Sequence, residues 1–162
     1  MGIFRNWRRR RVLKQSLVDI VLWQQTVAAL PLLTRLTNLE RERLRELVTL
    51  FLHEKEISGA NDFVPDNFLC ITIAAQACLP ILYLGIDSYN DWISVVVYPE
   101  EFLARHEFMD EAGVVHVVRD IMRGEAWLKG PLILSGRDAM RSGALDGINV
   151  VIHECAHKLD ML

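Results

Sequence analysis

His153, Glu154 and His157 are the residues of this chain whose types and spacing can do chemistry together. On a helix the two histidines lie one turn apart and project from the same face, so both imidazoles can hold a single metal ion. Glu154 follows the first of them directly. In an H-E-x-x-H arrangement that carboxylate stands beside the metal and takes a proton from a water whose pKa zinc has lowered. The reaction implied is attack of water on a polarised carbonyl. Asp160 falls three residues after His157 and shares the same face, as a partner that orients an imidazole or as a further ligand.

With five histidines in 162 residues, the three fixed letters arise by chance in about 1% of such chains, so context has to carry part of the argument. Asn149-Val150-Val151-Ile152 is mostly apolar, as a buried helix requires, and Cys155 and Ala156 are small enough for close packing. Lys158 is a departure, because metal-binding helices of this type usually carry an uncharged residue there. The competing reading is a surface helix with two unrelated histidines. A catalytic zinc takes three protein ligands and leaves a position for water. The common third ligands, a glutamate on a following helix or a histidine six residues on, would both fall past Leu162. His116 lies in a run of valines, where a structural role is more common than ligation.

Apolar residues make up 51% of the chain, which excludes disorder and leaves room for one domain with a core. The net charge of −3 conceals an asymmetry: six of the 18 basic residues and none of the 21 acidic ones fall in residues 1 to 14, so the remainder has a net charge of −9. An acidic body excludes a nucleic-acid-binding surface outside that basic stretch. Residues 1–15 are expected to be a solvated basic tail and 16–162 the domain; Lys14, Gln15 and Asp19 interrupt any secretion signal. Cys70, Cys78 and Cys155 form no C-x-x-C pair, which argues for buried thiols in a reducing compartment.

The elements that must position the site follow from pattern. Val12 to Ala29 is expected to be one amphipathic helix, closed by Pro31. Thr37 and Glu40 have capping-box spacing ahead of a stripe of Leu44, Leu47, Val48, Phe51 and Leu52. Residues 58–66 are expected to form a loop. Phe68 to Ile86 lacks charge over nineteen residues, yet Gln76, Pro80 and Gly85 argue against stable membrane insertion. A buried helix over Asn67 to Cys78 and an extended Ile81 to Leu84 are expected instead. Strands are predicted at Ile93 to Tyr98, Val114 to Val118 and Pro131 to Ser135, then a short helix at Asp138 to Arg141, with Asp146 capping the motif helix. This order implies an α+β fold with the motif helix against a small sheet. Ile93 to Tyr98 and Pro131 to Ser135 are the candidate edges for holding an extended peptide by strand addition.

The run His153-Glu154-Cys155-Ala156-His157-Lys158-Leu159-Asp160, preceded by Gly147 to Ile152, resembles the motif of the Mlc titration factor A family of zinc peptidases. The likeness extends to Leu30-Pro31-Leu32-Leu33, Phe51-Leu52, Cys78 to Leu82, Val97-Tyr98-Pro99, Gly124-Glu125-Ala126-Trp127 and Gly130-Pro131. It implies a cytoplasmic bacterial metallopeptidase with a zincin-like core, in which His153 and His157 bind zinc and Glu154 is the general base. It also implies regulation of glucose phosphotransferase genes by binding the Mlc repressor, so a non-catalytic repressor-binding protein is the alternative. Family members continue past H-K-L-D, and their third ligand, a glutamate, lies in that continuation. The resemblance therefore predicts an incomplete C-terminus, little peptidase activity for these residues alone, and apolar faces on the motif helix and on Leu44 to Leu52 that want partners. Substrate preference, and aminopeptidase against endopeptidase action, stay open.

Overall fold

The computed structural model describes residues 2–92, 94–99, 130–141, 147 and 149–160. In chain order the helices are α1 (Gly2–Gln15), α2 (Ile20–Ala29), α3 (Pro31–Thr34), α4 (Asn38–Glu54), α5 (Asn67–Cys78), α6 (Gly136–Arg141) and α7 (Val150–Asp160), with a 3-10 turn at Ile86–Tyr89. The strands are β1 (Glu56–Gly59), β2 (Ser94–Tyr98) and β3 (Leu132–Ser135), in the sheet order β1-β2-β3 with both pairings parallel. The fold is α+β. Among the described residues no helix is long and apolar enough to cross a membrane.

The capping box at Thr37 forms as its spacing predicts. Thr37 Oγ1 accepts from the Glu40 amide at 3.2 Å, and a Glu40 carboxylate oxygen accepts from the Thr37 amide at 2.8 Å. The stripe that follows is buried at Leu44, Leu47, Val48 and Phe51, with Leu52 half-buried, so α4 packs its apolar face on α5 and α1. α5 has the expected bounds and is buried nearly all round, which explains its lack of charge. Its Gln76 is wholly buried and its amide is bonded on both sides. Val151 and Cys155 of α7 are likewise buried. The expected uncovered apolar faces on α4 and α7 are therefore absent among these residues.

Four expectations are corrected. Val12 to Ala29 is two helices, because Asp19 folds back to accept from the Val21 and Leu22 amides at 3.0 and 3.1 Å and so starts α2 afresh. Residues 2–15 are a helix, and one of its arginines is buried against acids far along the chain. Ile81 to Leu84 is a succession of turns closed by Gly85 at φ +89°, with the Leu84 and Gly85 amides both bonded to Ile81 O. The loop expected from Ser58 gives its first two residues to β1, and Gly59 is needed there because a Cβ would lie 1.6 Å from Phe63 O. Val114 to Val118, with His116, and Asp146 lie outside the described residues.

All three cysteines are free thiols. Burial, with Cys155 nearby, pushes the Cys78 thiol well above its ordinary range. The folded chain then keeps a proton that the unfolded chain releases from about pH 8.5 upward, so stability falls as pH rises through that range. The urea midpoint is expected to drop between about pH 8 and pH 10, less steeply in Cys78→Ala. Equal pH slopes for the two proteins would contradict this.

Candidate metal centre

α7 begins where Asn149 turns the chain. Its Oδ1 accepts from the Ile152 amide at 2.8 Å and its carbonyl from the His153 amide at 3.0 Å. A side-chain cap of this kind contributes about 1 kcal/mol. The same side chain donates through Nδ2 to Gln76 Oε1 at 2.9 Å, while Gln76 Nε2 donates to Ala139 O at 2.8 Å. One buried amide on α5 thus fixes the start of α7 and the end region of α6. Neither role follows from the sequence patterns above; an Asn immediately before an apolar helical run is the one local signal for the cap.

The inner face of α7 is set by Val151, Cys155 and Lys158, all buried. Lys158 Nζ donates to Gly130 O at 2.8 Å and stands 5.9 Å from the centroid of the Trp92 ring. Burial lowers its pKa. The charge that departs from the usual motif therefore lies on the face opposite the histidines and ties α7 to Gly130, two residues before β3. Burial pushes the Cys155 thiol up to about 12. Cys155 is wholly buried on this inner face, whereas His153 and His157 are exposed, so it belongs to the packing.

The outer face carries the two histidines of the motif. His153 and His157 are both exposed, with Nε2 atoms 3.1 Å apart, ring centroids 4.5 Å apart and ring planes at 86°. Two nitrogens each about 2.05 Å from a tetrahedral zinc would be about 3.3 Å apart, close to the separation observed here. Glu154 is half-buried beside them, and Asp160 is exposed on α7. Among the described residues no third His, Cys, Asp or Glu joins the two histidines in a metal-binding group. His116 is not placed by the described residues.

The sheet excludes one of the two candidate peptide edges. β2 is paired on one side to β1 and on the other to β3, so it cannot accept an added strand. β3 has one partner strand among the described residues and packs against α7.

A family model described as glucose-regulated metallo-peptidase M90 matches residues 4–162. Proteins called Mlc titration factor A, from Salmonella agona (strain SL483) and Salmonella typhi, are each 40% identical over 139 residues, covering 86% of this chain and 52% of theirs. The chain spans about half the length of these curated relatives.

Proposed function

Since the chain belongs to the family of glucose-regulated metallo-peptidases M90, we propose that it supplies the metal-gripping and water-activating helix of a zinc peptidase. The observation that supports this best is the 3.1 Å approach of His153 Nε2 and His157 Nε2 on the outer face of α7, with Glu154 next to them in the chain. The zincin-like core expected from the resemblance is part of the proposal. Zinc supplies Lewis acidity, which polarises a carbonyl and acidifies a water molecule.

The chain's own residues do the rest. His153 and His157 hold the ion through nitrogens that an exposed, capped helix presents in fixed register. The Glu154 carboxylate takes a proton from the attacking water and delivers it to the leaving amine. β3 presents its outer side to an extended peptide substrate. The third ligand comes from outside the described residues, and Asp160 orients an imidazole. The site works in the cytoplasm, consistent with three free thiols.

Removing the metal tests this reading. The low peptide hydrolysis that the resemblance leaves to these residues is expected to disappear with a zinc chelator and to return when zinc is added back. Hydrolysis indifferent to chelation would overturn it. The relatives' name favours a second reading, in which binding of the Mlc repressor is the function and the metal site is vestigial. Repressor binding that persists in metal-free protein without any hydrolysis would support that one.

A further inference from the structure

We propose that the outer face of α1 is a docking surface for an anionic lipid membrane. The helix is already formed and is fixed by its inner face. Arg9, only 8% exposed, donates through Nε and one terminal nitrogen to the two carboxylate oxygens of Glu54, at 2.6 and 2.9 Å, and through the other terminal nitrogen to Asp87 at 2.8 Å. Val12 is buried on the same side, and Arg5 reaches Asp87 at 3.0 Å.

With Arg9 and Val12 facing inward, helical periodicity turns Ile3, Phe4 and Trp7 outward. They are 84%, 83% and 62% exposed, at the N-terminal end of the helix. Arg8, Arg10, Arg11 and Lys14 follow them toward the C-terminal end and are exposed or nearly so, and α1 contains no acid. The Arg11 guanidinium lies 5.8 Å from the centroid of the Trp7 ring. The result is an apolar tip with a cationic collar.

Charge complementarity selects an anionic surface, and the apolar tip selects a membrane. Aromatic and aliphatic side chains settle at the boundary of headgroups and acyl chains, while guanidinium groups bind the lipid phosphates. A nucleic acid would engage the arginines but leave Ile3 and Phe4 in water. Because α1 is prefolded and anchored, docking does not have to order a flexible tail.

Flotation of the purified protein with vesicles of phosphatidylcholine, alone or with about 30% phosphatidylglycerol, tests the proposal. Binding is expected to the anionic vesicles only and to weaken with salt. Each cation at a lipid surface is worth about fivefold in partition, so Arg8→Gln, Arg10→Gln and Arg11→Gln together are expected to lower it about 100-fold. Ile3→Ser, Phe4→Ser and Trp7→Ser together are expected to abolish it with charge untouched; all six side chains lie outside the core, so both variants fold. Absence of binding to anionic vesicles would overturn the proposal. So would full vesicle binding by the serine variant, preferential capture of duplex DNA, or a change of the serine variant from dimer to monomer in size-exclusion chromatography, which would make the face a contact between copies.

Discussion

Glu154→Gln is expected to lower zinc-dependent peptide hydrolysis by about 100- to 10,000-fold with no loss of bound zinc. The amide keeps the shape of the side chain and removes a carboxylate that can take a proton from water. The fold is expected to survive, because Val151 and Cys155, not Glu154, bury the inner face of α7. The imidazole pair is untouched, so metal content separates loss of the base from loss of the site. A kcat/KM within tenfold of the parent would remove Glu154 from the mechanism. Unchanged repressor binding in the same variant would show that the two proposed functions are separable.

Trp92→Ala is expected to cost about 3–5 kcal/mol of folding free energy. Trp92 is 2% exposed and meets Phe51 of α4 edge-on at 5.8 Å and Tyr89 at 5.1 Å between ring centroids. Two ammonium groups stand over the same indole, Lys55 Nζ at 4.7 Å and Lys158 Nζ at 5.9 Å from its centroid. Lys55 also donates to the carbonyls of Tyr89 and Trp92, and burial lowers its pKa to about 8. Truncating the ring leaves a cavity and removes the cation–π partner of both lysines. Since Lys158 belongs to α7, the variant is also expected to loosen the helix that carries the histidines. Urea unfolding measures the loss; less than about 1 kcal/mol would contradict the placement of Trp92 at the joint between α4 and α7.

Local chemistry was legible in the sequence wherever one short segment contains both halves of an interaction. The capping box of α4, its buried stripe and the bounds of α5 follow from spacing alone, as do the strands at β2 and β3. The family was legible for a similar reason: H-E-C-A-H-K-L-D and the upstream motifs are contiguous strings, and the family match runs across residues 4–162. Partners distant in the chain were not legible. Composition near Arg9 says nothing of Glu54, 45 residues away, so a docked helix looked like a solvated tail. The central place of β2 depends on pairing with β1 and β3, and no feature of Ser94 to Tyr98 encodes it.

The same distinction explains the site. The register that turns His153 and His157 to one face is local and was readable. The Asn149–Gln76 bond spans 73 residues, and Lys158 takes its meaning from Gly130 and Trp92. Asp19 failed as a signal because a single short acid competes with apolar periodicity that continues on either side of it. Its two amide bonds show which of the two prevailed.

His153 and His157 are proposed to grip one metal ion together. Zinc per chain after dialysis against a weak chelator tests it most directly, for the parent protein and for His157→Ala. About one zinc retained by the parent and none by the variant is the expected result, since one imidazole cannot replace two. Equal zinc in both proteins, at any stoichiometry above zero, would place the metal elsewhere and contradict the account.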